Sequence, residues 1–180
     1  MLEWLTRPKR KRSTQTIKQS SNQVIEMLKY VDTDIVFQEI PDEVTLAVNL
    51  SGCPCRCPGC HSKHLWSDVG KPLTADAVEC MLQHGPNGVT CLSLMGGDAQ
   101  PSEVDELAGN LRRRFPRLHL AWWSGRTLLS PQVSLNNFDY IKLGPYLAHL
   151  GPLKNPRTNQ RLYRVVGGRL NDITSHFWHQ

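Results

Sequence analysis

The sequence predicts an α/β chain organised around a parallel sheet. Strand-like and helix-like segments alternate from Val44 onward, the order that right-handed crossovers between parallel strands require. The loops that follow the first two strand-like runs are rich in cysteine or glycine, so the chemistry-bearing residues fall at strand ends. At 180 residues and 39% hydrophobic, the chain is long enough for one cored domain and too short for two of ordinary size. There are too few units for a closed eight-stranded barrel.

The first strand is carried by Val44, Leu46, Val48 and Leu50, which alternate with Thr45, Ala47 and Asn49 and run directly into a cysteine loop. Thr74 can cap a helix over 75–83. The apolar run Val89 to Met95 predicts a second strand, ending at Gly96-Gly97-Asp98. Pro101 opens a helix expected to reach Arg114, before Pro116 stops it. Further strands are predicted over 118–123, 139–143 and 161–166.

Four cysteines fall within Cys53-Pro54-Cys55-Arg56-Cys57-Pro58-Gly59-Cys60, and Cys53, Cys57 and Cys60 have the spacing C-x3-C-x2-C, with His61 next. Three thiolates on a short loop can hold three irons of a cubane cluster and leave the fourth open for a substrate. A zinc site is the competing reading, because Cys57-x2-Cys60 is a zinc half-site. No second CxxC or well-spaced His pair completes it, and His61 and His64 stand too close to Cys60 for an ordinary zinc finger. In Gly96-Gly97-Asp98, missing β-carbons let a ligand approach the backbone beside a carboxylate.

The loop Ser51-Gly52-Cys53 to Cys60-His61, the following Leu65-Trp66 and the Met95-Gly96-Gly97-Asp98 turn resemble the radical S-adenosylmethionine activases of glycyl-radical enzymes. The resemblance is closest to the activating proteins of anaerobic ribonucleoside-triphosphate reductases and runs from about Lys29 to about Val166. It implies a partial (β/α)6 open barrel. It also implies a [4Fe-4S] cluster on Cys53, Cys57 and Cys60, and S-adenosylmethionine contacts at Gly59, Cys60, His61, Gly96, Gly97 and Asp98. No catalytic side chain beyond the cluster and cofactor is implied. The implied partners are the large subunit of the reductase and a low-potential electron donor of flavodoxin or ferredoxin type. An activase of another glycyl-radical enzyme, such as pyruvate formate-lyase, or a non-catalytic metal-binding adaptor are the alternatives.

Two positions depart from the family pattern: Cys55 is an additional thiol, expected to be a bystander, and Ala99-Gln100 replaces the usual proline–hydrophobic continuation. Trp122-Trp123-Ser124-Gly125 and Asp139 to Tyr146 are similar to further family segments. Trp123 reads equally as a cofactor neighbour or a core residue, and Lys142 as a carboxylate partner or a solvent-facing lysine. Cys80 and Cys91 read as small buried hydrophobes.

Residues 1–20 carry Arg7, Lys9, Arg10, Lys11, Arg12 and Lys18 against Glu3 alone, so the whole net charge of +5 lies there. The remaining 160 residues hold 15 basic and 15 acidic side chains. A neutral body argues against a nucleic-acid groove. Arg112-Arg113-Arg114 reads as a solvated helix end. Residues 1–26 are expected to form a basic, disordered extension, with Met27 as the expected native start, and 27–180 the activase domain. No apolar run of membrane-spanning length and no secretory signal is present, and four cysteines in one loop suit metal ligation in a reducing compartment, so a cytoplasmic location is expected.

Overall fold

The computed structural model describes residues 27–178; the expectations for 1–26 lie outside the described residues. Eight strands form one mixed sheet: β1 (Lys29–Val36), β2 (Thr45–Leu50), β3 (Lys71–Pro72), β4 (Cys91–Met95), β5 (His119–Trp123), β6 (Tyr140–Leu143), β7 (Arg161–Val166) and β8 (Arg169–Asp172). Two α-helices accompany them, α1 (Ala75–His84) and α2 (Pro101–Arg114). The strand order is β3-β1-β2-β4-β5-β6-β7-β8.

This is not a (β/α)6 barrel. Only β2, β4, β5 and β6 are mutually parallel, while β1 and β3 on one side and β7 and β8 on the other pair antiparallel. The physical reason lies in the connections. Helices α1 and α2 supply the crossovers into β4 and β5, but the step from β5 to β6 is a loop with a single 3-10 turn at Leu135–Asn137. After β6 the chain returns antiparallel, and Gly167 and Gly168, with φ of +58° and +71°, make the two-residue turn between β7 and β8. The sheet therefore keeps two edges, β3 and β8, and stays open.

Each helix begins where the sequence allows. Thr74 Oγ1 accepts from the Ala77 N–H at 3.1 Å and caps α1. Pro101 opens α2, whose Val104, Leu107, Ala108 and Leu111 form one apolar stripe. That stripe packs on Leu46, Val48, Leu50, Leu92, Leu94, Leu120, Trp122 and Ile141, the helix-side face of the parallel strands. The other face is covered by loops and the C-terminal 3-10 turn, with Ile40, Cys91, Ala121, Tyr140, Leu153, Leu162 and Phe177 in a second core.

Two smaller expectations also change. The arginine run is not simply solvated: Arg112 pairs with Asp139 at 2.6 Å, Arg113 with Asn110, and Arg114 with Asp76 and Glu79. Cys91 is buried as expected, but Cys80 is exposed, because α1 turns Val78 to the core and Cys80 toward His84 on its outer side. Among the described residues no helix is long and apolar enough to cross a membrane.

Candidate functional site

The parallel strands end in a row that the register fixes. Asn49 of β2 stands opposite Met95 of β4, Met95 opposite Trp123 of β5, and Trp123 opposite Lys142 of β6. Strand alternation turns all four away from the helices. They line one cavity of about 190 Å³ together with Cys53, Cys55, Cys57, Cys60, Trp66, Gly96 and Asp98. The cysteine loop and the glycine turn, 36 residues apart between Cys60 and Gly96, thus meet across the C-terminal ends of the parallel strands.

The loop is held from below by backbone hydrogen bonds. Ser51 N donates to Lys29 O at 3.0 Å, Gly52 N to Ser67 O at 3.0 Å, and Cys53 N to Leu65 O at 2.9 Å. Its path needs left-handed backbone at Gly52, Arg56 and Gly59, with φ of +73°, +44° and +79°. Cys57 is buried and Cys53, Cys55 and Cys60 are half-buried, and none of the four is in a disulfide. Ser62 N donates to Cys60 Sγ at 3.4 Å.

In the Gly96-Gly97-Asp98 turn, Gly96 and Asp98 line the cavity, whereas the space left by the missing β-carbon of Gly97 is filled by Val104 of α2 and by Leu50 and is not open to a ligand. Gly96 and Gly97 have φ of +109° and +84°, and a β-carbon on Gly97 would stand 2.5 Å from Val104 Cγ2. Asp98 is buried and accepts at both oxygens: Ser124 Oγ donates to Oδ1 at 2.5 Å and Gly125 N to Oδ2 at 2.8 Å. The Cys55 thiol donates to the same Oδ2 at 3.6 Å. Burial first, then the charges of Asp98 and Cys53, push the Cys55 thiol up to about 12.

Lys142, which the sequence left undecided, is buried. Its Nζ donates to Gly144 O at 2.6 Å and lies 5.7 Å from the centre of the Trp123 ring. Burial lowers its pKa to about 8, partly offset by Asp98, Cys57 and Cys55. A lysine between Ile141 and Leu143 in an apolar strand was the available signal. His61 is exposed, its ring 5.8 Å from that of Tyr146. Both, with Cys60, Ser62 and Trp123, also line a neighbouring cavity of about 470 Å³, a volume in the range of small-molecule sites.

Comparison with known proteins decides the cofactor class. A family model described as a 4Fe-4S single cluster domain matches residues 43–161. The chain belongs to that family. No curated protein and no solved structure matches it. The matched span of this 4Fe-4S single cluster domain runs from just before β2 to the first residue of β7, and so contains the cysteine loop and all four parallel strands.

The residues present fit such a group. A cubane binds each thiolate on a different iron, so its ligands surround a volume and need not converge on one point. Here four thiols line one cavity, while among the described residues no three His, Cys, Asp or Glu side chains are placed to hold a single ion. The Trp66 and Trp123 indole nitrogens, buried in two residues of the same lining, have no acceptor in the protein. A tryptophan in sequence does not reveal whether its N–H is satisfied.

Proposed function

We propose that this iron–sulfur protein is a radical S-adenosylmethionine activase that installs a glycyl radical on the large subunit of an anaerobic ribonucleoside-triphosphate reductase. The observation that carries the reading is the meeting of the C-x3-C-x2-C loop and the Gly-Gly-Asp turn in one cavity at the ends of parallel strands. The specific partner rests on the resemblance at those two motifs.

In this reading Cys53, Cys57 and Cys60 hold the [4Fe-4S] cluster. When bound, the cluster would supply one low-potential electron, received from a flavodoxin- or ferredoxin-type donor, for the reductive cleavage of S-adenosylmethionine that would lead to hydrogen abstraction from a glycine α-carbon of the partner. The chain's own groups orient the cofactor. The Asp98 carboxylate is a charge-assisted acceptor for its amino group, and the Gly96 backbone lines the cavity beside it. The Lys142 ammonium, desolvated and lining the same cavity as the thiols, would be the counter-charge for its carboxylate. The larger cavity beside Cys60 and His61 offers room for the nucleoside, with Trp123 and Tyr146 as apolar walls that exclude water.

The test is anaerobic reconstitution with iron and sulfide, reduction by dithionite with S-adenosylmethionine present, and chromatography for 5′-deoxyadenosine. Product that disappears in Cys57→Ser supports the reading. If a fully loaded, reducible protein gives none, the reductase subunit is added and the glycyl radical sought by electron paramagnetic resonance. Neither product nor radical under those conditions leaves a cluster-binding adaptor instead.

A further inference from the structure

The antiparallel return of the chain brings one more side chain to the site. Because β7 runs opposite to β6, its first residue, Arg161, stands beside Leu143 at the C-terminal end of β6, and Gln160 just before it lines the larger cavity of about 470 Å³. A β7 parallel to β6 would bring its other end there. Gln160 is 5% exposed, so its amide is a buried polar group in a cavity walled by Trp123, Tyr146, Leu153 and Phe177. Both ends of such an amide call for partners. Nε2 donates to Gly151 O at 3.5 Å, and the same oxygen accepts from Thr158 Oγ1 at 3.2 Å. The Gln160 backbone N–H in turn donates to Thr158 Oγ1 at 3.2 Å, so side chain and backbone are tied to one loop. Oε1 meets no donor among the described residues. It is not sealed off either, in contrast to the neighbouring Asn159 Oδ1, which is buried without a partner. The open surface of Oε1 belongs to the cavity that Gln160 lines.

An acceptor held in this way selects what enters. An occupant must present an N–H or O–H to it, because a buried carbonyl left unpaired is costly. The amide cannot turn over to offer a donor instead, since that would set Oε1 against Gly151 O, acceptor against acceptor. The aromatic and aliphatic walls suit a flat ring. We infer that Gln160 is a specificity-determining residue for the base of the nucleoside: its Oε1 accepts from the exocyclic amine of adenine and discriminates against a 6-oxo purine, which sets a carbonyl opposite it. The inference rests on the S-adenosylmethionine reading of the site and adds the group that reads the base.

The experiment is equilibrium dialysis of the anaerobically reconstituted protein with two ligands. S-adenosylhomocysteine carries the adenine base without the reactive sulfonium, and S-inosylhomocysteine differs from it by the 6-oxo base. Wild type is expected to prefer the adenine ligand by roughly ten-fold or more. Gln160→Leu should reduce that preference to less than about three-fold with iron and sulfide content unchanged, and Gln160→Glu, which keeps an acceptor, should retain it. A merely structural role would weaken both ligands alike and leave the ratio unmoved. No preference in wild type, or the same preference in Gln160→Leu, overturns the inference and leaves the cofactor reading in place. A fully loaded wild type that binds neither ligand overturns both. Should the leucine variant fail to hold iron, Gln160→Met, of the same length, takes its place in the comparison.

Discussion

Ser124 Oγ donates to Asp98 Oδ1 at 2.5 Å, and the neighbouring Gly125 N–H takes the other oxygen at 2.8 Å, so one carboxylate ties the loop after β4 to the loop after β5. Asp98 therefore has two duties that substitution can separate. Ser124→Ala removes one charge-assisted bond and should lower stability by about 2 kcal/mol. It leaves the carboxylate in place. Asp98→Asn keeps the size but removes the negative charge, and should weaken S-adenosylmethionine binding by roughly ten-fold or more, against less than about three-fold for Ser124→Ala. Equilibrium dialysis and urea unfolding measure the two effects independently. Equal loss of binding in both variants would mean that Asp98 acts only as a tie.

Gly97 sits where α2 passes closest to the turn. A β-carbon there would lie 2.5 Å from Val104 Cγ2 and 3.0 Å from Leu50 Cδ1, on a backbone with φ of +84°. Gly97→Ala should cost about 2–4 kcal/mol, part steric and part conformational. Val104→Ala relieves only the steric part. The double variant should be more stable than the sum of the single losses by roughly 1–2 kcal/mol, measured by urea unfolding. Strict additivity would place the whole cost in the backbone.

The parts of this architecture written locally were legible, and the parts written across the sheet were not. Alternation at Leu46, Val48 and Leu50, the Thr74 cap and Pro101 are local signals, and the elements they predict form. Strand direction is not local. Nothing in the run Arg161–Val166 says that it lies antiparallel to β6, so the alternation of strand-like and helix-like runs reads as a parallel sheet. The partial (β/α)6 barrel that the resemblance implies is one the chain does not make. The site shows the same division. Cysteine spacing and paired glycines are readable in sequence, whereas the row Asn49, Met95, Trp123 and Lys142 exists only through register. Lys142 was ambiguous for that reason.

At the opposite ends of the strands, Glu43 accepts from Tyr140 OH at 3.0 Å, from Thr90 Oγ1 at 2.5 Å and pairs with His119 at 2.5 Å. Burial, then the hydrogen bond and charge of Glu43, raises the Tyr140 phenol to about 12. Above pH 10 an unfolded tyrosine releases its proton while the folded one still holds it, so the unfolded state binds fewer protons and stability falls as pH rises from 10 toward 12. Tyr140→Phe has no phenol to titrate. The stability difference between wild type and Tyr140→Phe, followed by urea unfolding, should shrink across that window. A difference that stays constant with pH would show that neither burial nor Glu43 raises the phenol.

Cys55 separates the three-cysteine assignment from a four-cysteine one. All four thiols of the loop line the cavity, yet the Cys55 sulfur is engaged with Asp98 Oδ2 at 3.6 Å, and a β-carbon on Gly125 would stand only 2.7 Å from it. Its side chain is thus packed against the loop after β5, while Cys53, Cys57 and Cys60 keep the C-x3-C-x2-C spacing. Cys55→Ser preserves a donor to Asp98 and should retain full iron and sulfide after anaerobic reconstitution. Cys53→Ser, Cys57→Ser and Cys60→Ser should each lose most of both, because an alcohol is a poor substitute for a thiolate on iron. Iron and sulfide assays with the visible absorption of the cluster read the outcome. Equal loss in all four variants would make Cys55 a fourth protein ligand, closing the iron that the activase reading leaves open.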